Sequence, residues 1–391
     1  MAERDRAWTV FVIAGEASGD IIAARMMAAL ARISERPIRF AGIGGPQMAA
    51  QGFVSLFPMR ELSLMGLAEI VPHIPRLLRR INETAREVER LAPDIVVTVD
   101  SPGFTFRVAR RIRHLPLPIV HYVAPQLWAW RPGRARKIAT LVDALIAVLP
   151  FEPAFFKQFE IPCSYAGHPA IEGGHGDGDG AAFRVEHEIA ADAPVLAVLP
   201  GSRGGEVSRL APILGETLGL LAKKHPGLTA VVPTVDTVAE QVRAAVGSWP
   251  VRTIVVADTA RHRDVYAASR AALTKSGTST LHLALAGVPM VVCYKMHWLT
   301  AFLARRLVKL DHVSLVNILA EREVVPEYLL ADCTAENLAA ATAPLLDDGD
   351  AWDKQCAGLS AVVELLKVDG NPPSEQAAQI VLGHLEKRSP P

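Results

Sequence analysis

The sequence predicts an α/β protein built from two doubly wound domains that face each other across a cleft. Three observations predict it. Short apolar runs rich in β-branched residues alternate with longer helical stretches along the whole chain. Those runs are apolar on both faces, as strands are when helices cover both sides of a parallel sheet. The alternation is broken once, at "GGHGDGDG" (173–180), leaving a strand–helix series of similar length on either side.

In the first half, strands are expected at 8–14, 38–43, 94–99, 118–123 and 144–149. In the second half they are expected at 194–199, 228–233, 253–257 and 289–293, with one more opening the stretch 273–292. The glycine-rich run faintly suggests a calcium loop through Asp177 and Asp179, but it lacks the spaced ligands and the closing glutamate, so a flexible linker is expected. The resulting division is a first domain at 1–172, a linker at 173–185, a second domain at 186–348 and C-terminal helices at 349–391. The end of the chain, "AWDKQCAGLSAVVELLKV" and then "SEQAAQIVLGHL", has a helical pattern, and packing back on the first domain is an expectation for it.

Composition excludes several classes. The chain has 391 residues, long enough for two cores, and Lys+Arg and Asp+Glu both number 41. A formal net charge of zero argues against general nucleic-acid binding. The four cysteines are scattered without a CxxC pair, so neither a zinc site nor a disulfide framework is indicated. No apolar run is long enough to span a bilayer, and the charged start followed by a broken apolar run is a first strand, not a signal peptide. A cytoplasmic protein is expected.

Ligands of doubly wound sheets bind beyond the carboxyl ends of the strands, so the loops there carry the chemistry. "LPGSRGGEV" (199–207) follows an apolar strand. Gly201, Gly204 and Gly205 let the backbone approach a ligand, and Arg203 offers a fork of donors to an anion. It lacks the Lys-Ser/Thr pair of a triphosphate loop. Its companion lies in "LTKSGTSTLHLALAGVPMVV" (273–292), where Ser276, Thr278, Ser279 and the opening helix amides form a neutral anion site. Together the two loops suit a diphosphate, without a metal. In the first half, "AGEASGD" (14–20) suits sugar hydroxyls through Glu16, Ser18 and Asp20; the alternative is a tight turn capped by Ser18 or Asp20. "GIGGPQM" (42–48) has the form of a plain turn. Asp100 in "TVDSPGF" ends a strand and is either a helix cap, which the spacing favours, or a general base.

From Arg76 to Lys137 there are thirteen Lys/Arg against five Asp/Glu, close to the apolar stretch 62–78. A second mixed stretch, 297–310, joins Trp298, Leu299, Phe302 and Leu303 to Arg305, Arg306 and Lys309. Basic beside apolar surface fits an anionic lipid interface; solvated helix faces over a core explain each stretch singly.

Taken in order, "AGEASGD", "GIGGPQM", "LSLMGLAEI", "DSPGF", "VAPQLWAWRPGRARKI", "LPFEP", "GHP", "LPGSRGGEV", "SGTSTL", "GVPMVVCYK", "VSLVNILAERE" and "VPE" resemble the lipid-A-disaccharide synthase family almost end to end. The resemblance implies a GT-B fold of two Rossmann-like domains and an inverting glycosyltransferase. That family joins UDP-2,3-diacylglucosamine to 2,3-diacylglucosamine 1-phosphate, giving a β-1,6-linked disaccharide 1-phosphate and UDP. It implies Asp100 as general base and Arg203 on the leaving group. It implies nucleotide contacts from Gly201, Ser202, Arg203, Gly204, Glu206, Ser276, Gly277, Thr278, Ser279, His282 and Asn317. Acceptor contacts would come from Gly15, Glu16, Ser18, Gly19, Asp20 and Met65. The chain departs from the family pattern at His282, where glutamate is usual; a neutral ring nitrogen can still accept from a ribose hydroxyl. No cofactor and no metal are implied. The implied partners are the two acylated sugars and the cytoplasmic face of the inner membrane, bound peripherally, with no nucleic acid and with a homodimer left open. The rival readings are another GT-B enzyme using a UDP-GlcNAc-like donor, either a peptidoglycan GlcNAc transferase or a 2-epimerase, and a non-catalytic nucleotide or lipid binder.

Overall fold

The computed structural model describes residues 6–62, 74–129, 132–296, 311–368 and 370–387. The chain divides into two compact units, one of Met1–Pro169 with Val368–Pro391, the other of Ala170–Lys367. Each contains a six-stranded, fully parallel sheet.

The first sheet is made of β1 (Trp8–Ala14), β2 (Ile38–Ile43), β3 (Ile95–Val99), β4 (Ile119–Tyr122), β5 (Ala144–Ala147) and β6 (Cys163–Tyr165), in the order β2-β1-β3-β4-β5-β6. The second is made of β7 (Val195–Leu199), β8 (Thr229–Pro233), β9 (Arg252–Val256), β10 (Ala271–Lys275), β11 (Met290–Tyr294) and β12 (Glu327–Leu329), in the order β12-β11-β10-β7-β8-β9. β3, β7 and β8 are buried at every residue, which is why their sequences show no polar alternation. In each sheet the order reverses beside the unit's first strand, between β1 and β3 and between β7 and β10. The loops leaving those strands part there and open a crevice.

Helices cover the sheets with the faces their sequences set apart. Ala17–Ile33 buries Ala23, Met26, Met27 and Leu30. Ile74–Leu91 buries only a narrow stripe of Ile81, Thr84, Ala85 and Val88 and turns its charged residues outward. The first core gathers Phe11, Ile13, Val96, Val108, Leu145 and Phe156; the second gathers Leu196, Leu210, Leu214, Val242, Leu273 and Val291.

Two segments differ from the sequence-based expectation. Residues 173–185 belong to the second unit and include the helix Gly180–Glu186. Asp179 starts that helix by accepting the N–H of Ala182 at 2.8 Å, and its own N–H donates to Asp264 at 3.0 Å. A side chain at Gly178 or Gly180 would strike the backbone of Arg263 or Ala267. The glycines therefore permit close packing, which in sequence looks the same as flexibility. The C-terminal helices also separate. Asp350–Leu366 stays with the second unit. Pro373–Glu386 lies on Ala17–Ile33 in the first, where Glu375 pairs with Arg32.

Two of the quoted motifs meet at one buried carboxylate. Glu152 accepts the N–H groups of Val148 (3.1 Å) and Leu149 (3.0 Å) and the indole N–H of Trp128 (3.2 Å). Burial pushes its pKa up to about 7, against the downward pull of these three bonds. The folded protein thus holds the proton more tightly than the unfolded chain does. The resulting stability is complete below the unfolded value of 4.5 and is lost as pH rises to about 7. Glu152→Gln should remove this dependence. Melting temperatures taken between pH 4.5 and 7.5 are expected to fall less steeply in the variant, and parallel curves would contradict the assignment.

Candidate active site

In the first unit, Asp100 stands at the carboxyl end of β3. Asp100 and Ser101 both have left-handed backbone, with φ of +50° and +46°. Two successive non-glycine residues in that region cost about 1–3 kcal/mol each. They are held there by the Asp100 N–H bonding to the Tyr122 carbonyl (3.0 Å), and by the Thr105 hydroxyl bonding to the carbonyls of Asp100 and Ser101 (3.0 Å each). Ser101 occupies the capping position of the helix Pro102–Ile112, which has no side-chain cap. The capping role that spacing favoured for Asp100 is therefore not what the structure shows. Its half-buried carboxyl has its pKa raised by burial, opposed by the Ser101 amide.

The 14–20 loop borders this residue: a side chain on Gly15 would meet the Ser101 hydroxyl at 2.5 Å. Glu16 sits at the start of Ala17–Ile33 in extended backbone and Ser18 is exposed, while Gly15 and Gly19 are buried. Asp20 differs from expectation. It is buried and accepts the N–H groups of Gly45 (2.8 Å), Gln47 (2.9 Å) and Met48 (3.1 Å). It caps the following helix, Pro46–Ala49, and pins the 42–48 turn instead of facing a ligand. Met65 lies outside the described residues, as do 297–310.

In the second unit, Gly201 has φ +118°, and Glu206 Oε2 fills the place its side chain would take. Glu206 is buried and accepts the Ser202 N–H at 3.2 Å. Its Oε1 lies 3.1 Å from the Lys275 Nζ and 3.6 Å from an Arg203 Nη. Lys275 was not picked out from the sequence, although a cation closing a strand just before a Ser-Gly-Thr loop is a signal of that kind. Through Glu206 it ties the 200–206 loop to the 275–279 loop. The first amides of the helix Gly204–Ala222 open beside them and have no intrahelical acceptor.

The hydroxyl cradle expected at 276–279 is mostly used internally. Ser276 donates to the Val313 carbonyl (2.9 Å), and Ser279 bonds to Thr274 (3.0 Å) and to the Lys275 carbonyl (3.2 Å). Thr278 is exposed at the helix start, after Gly277. His282 stacks on His175, their ring centroids 3.9 Å apart and the planes 19° from parallel. Asn317 also differs from expectation. Its amide N–H groups donate to the Val325 carbonyl and to Glu327, and its oxygen accepts the N–H groups of Val324 and Val325. Two donors and two lone pairs are all an asparagine side chain has, so none is left for a nucleotide.

A family model described as lipid-A-disaccharide synthetase matches residues 10–381. The chain belongs to the lipid-A-disaccharide synthase family. The lipid-A-disaccharide synthase of Rhodospirillum centenum is 49% identical over 381 residues, covering 97% of this chain and 95% of that one. That of Granulibacter bethesdensis is 46% identical over 384 residues, covering 95% and 98%. Among solved structures, S. aureus MnaA with UDP superposes with a TM-score of 0.66 at 14% identity, covering 97% of this chain and 96% of that one. The UDP-GlcNAc 2-epimerase of Neisseria meningitidis, bound to UDP-GlcNAc, gives 0.61 at 14% identity, covering 98% and 100%. At such identity the likeness is one of fold, the GT-B class the sequence predicted. Membership in the lipid-A-disaccharide synthase family makes the chain an enzyme, a hexosyltransferase.

Asn317→Ala tests the scaffolding assignment. Two backbone N–H groups, one carbonyl and the Glu327 carboxylate would lose a partner, a loss of about 3 kcal/mol or more. The melting temperature should drop clearly, while UDP affinity measured below the transition stays within about twofold. Loss of UDP affinity at unchanged stability would return Asn317 to the nucleotide.

Proposed function

We propose that the protein joins UDP-2,3-diacylglucosamine to 2,3-diacylglucosamine 1-phosphate, releasing UDP and the β-1,6-linked disaccharide 1-phosphate. The observation that carries this is the family match across residues 10–381. The reaction is a direct displacement. The acceptor's 6-hydroxyl oxygen bonds to the donor's anomeric carbon, and the bond from that carbon to the diphosphate breaks with its electron pair. The hydroxyl proton passes to Asp100, and the anomeric configuration inverts. The raised pKa of Asp100 fits a base, and its carboxyl is not used as a helix cap. Arg203, whose guanidinium is largely exposed, and the amides at Arg203–Gly205 take the charge that develops on the departing diphosphate. Gly277 and Thr278 border it, His282 meets the ribose, and Glu16 and Ser18 meet the acceptor's hydroxyls, with Gly15 and Gly19 giving its backbone close approach.

Mass spectrometry of products from the purified protein and the two acylated sugars tests this directly; turnover of UDP-GlcNAc with none of the diacylated donor would overturn it. Asp100→Asn should keep UDP binding and lose about 10²- to 10⁴-fold in rate. In the parent enzyme kcat/KM should fall on the acid side with an apparent pKa above the ordinary aspartate range, as protonation removes the base. That limb should vanish from the residual activity of Asp100→Asn. Near-parental activity in the folded variant would exclude Asp100 as the base.

We also place the enzyme at an anionic membrane surface. Among the described residues no helix is long and apolar enough to cross a bilayer. The helices Ile74–Leu91 and Pro102–Ile112 pack together in the first unit and expose Arg76, Arg79, Arg86, Arg107, Arg110 and Arg111. Ile74 and Leu78 are exposed on the same surface, at 42% and 44%. Each well-placed basic residue near anionic lipid is worth about 1 kcal/mol, less at high salt. Vesicles containing phosphatidylglycerol should therefore co-sediment with the protein at low salt, and less so as salt rises. Replacing Arg76, Arg79 and Arg86 together by Glu should weaken binding about tenfold or more. No binding at low salt would show that these are ordinary solvated faces.

A further inference from the structure

The ion cluster beneath the glycine-rich loop is larger than an anchor for that loop requires. Glu206 Oε2 is committed to the Ser202 N–H and packs under Gly201. Its Oε1 is shared by two cations, Lys275 at 3.1 Å and Arg203 at 3.6 Å. Two positive side chains on one carboxylate leave a net charge of +1 in a half-enclosed place. Lys275 is the last residue of β10, which runs parallel to β7 with Thr274 opposite Leu199. Its ammonium therefore emerges between the loop that follows β7 and the loop that follows β10. It lies 3.4 Å from the position a side chain on Gly277 would take, and 5.9 Å from the centre of the Tyr294 ring. Its side chain keeps 20% of its exposure at the edge of the crevice that opens at this switch point.

We propose that Lys275 is a second cation for the diphosphate, resting on Glu206 until the nucleotide enters. This rests on the reading of 200–206 as the diphosphate loop. A diphosphate presents two groups of oxygens a few ångströms apart, and Arg203 and Lys275 flank one point from two sides. A buried carboxylate would be costly to leave unpaired, but the ammonium has three donors and can turn toward a more highly charged ligand while still holding Glu206 Oε1. Glu206 cannot follow, because its other oxygen is tied to the loop. It keeps the two cations apart and aimed while the site is empty, which lowers the ordering cost on binding. On this view Glu206 does not itself contact the nucleotide; like charges would repel.

The rival role for Lys275 is purely structural, neutralising a buried carboxylate. The two roles differ in which ligands notice the loss. Calorimetric affinities for uridine, UMP and UDP should be measured on the parent, Lys275→Met, Lys275→Arg, Glu206→Gln and the Glu206→Gln/Lys275→Met double variant. With Lys275 on the diphosphate, Lys275→Met loses about tenfold or more in UDP affinity and keeps uridine within about twofold. Lys275→Arg recovers most of the UDP affinity. Glu206→Gln binds UDP at least as well as the parent, and adding Lys275→Met to it removes that affinity. A Lys275→Met protein with parental UDP affinity, or with equal losses for uridine and UDP, overturns the proposal. If Lys275→Met does not fold, the double variant decides, since it buries no unpaired carboxylate: UDP affinity there equal to Glu206→Gln overturns it. A parent that makes the disaccharide while Lys275→Met matches it in UDP affinity sinks Lys275 alone. A parent that binds no UDP sinks the diphosphate loop as well.

Discussion

A parallel sheet that grows in both directions from its first strand must reverse its order beside that strand, and the loops on the two sides of the reversal must part. This constraint acts twice in the chain, at β1/β3 and at β7/β10. It sets where a crevice opens over the carboxyl ends of the strands, which is where ligands of such sheets bind. Asp100 follows β3; Gly15 and Glu16 follow β1. Gly201 and Arg203 follow β7; Lys275 closes β10. The other loops of each sheet are free to serve packing, and several of them do.

Much of the polar sequence that marks the family is spent on holding backbone, not on ligand. Asp20, Glu152, Glu206, Asn317 and Glu327 all accept backbone N–H groups, and the first four of these are buried. Burying a carboxylate is costly unless donors meet it, and each of these is met by amides of a turn that would otherwise have unpaired donors of its own. One side chain thus satisfies a loop that no ladder can reach. The pins hold the turns at 42–48 and 313–327 together with the apolar residues those segments bury, among them Ile43, Met48, Val316 and Val325.

The fold class was legible because buried parallel strands produce uninterrupted apolar runs, and helices between them produce a different period. β6 and β12 were not, because three half-exposed residues at a sheet edge produce no pattern. The 173–180 run was misread for a definite reason: glycine is used there to let chains touch, and sequence does not separate that use from freedom. The place of the Arg203 loop, between a buried strand and a helix start, was legible because glycines follow an uninterrupted apolar run. Asn317 and Ser276 looked like ligands, but side-chain saturation depends on partners far along the chain, such as Glu327 and Val313. Lys275 was passed over because a lysine beside a hydroxyl-rich loop looks like solvated surface until its partner, 69 positions away, is placed next to it.

The division of charge between the two sets of loops has a physical logic. A general base at neutral pH works best when its proton affinity is raised, and a neighbouring cation would lower it. A departing diphosphate needs the opposite surroundings. Among the described residues, what acts on Asp100 is burial, opposed by one backbone amide. What surrounds the 200–206 loop is a guanidinium, an ammonium and the positive end of a 19-residue helix. Were the basic groups carried by the strand that carries the aspartate, they would lower its proton affinity. Carried on separate sheets, the aspartate keeps its raised proton affinity while the 200–206 loop keeps its cations. The left-handed backbone at Asp100 and Ser101 belongs to the same logic. It is a strained conformation that keeps the carboxyl off the helix it precedes, where capping would have supplied further amide donors and lowered its proton affinity.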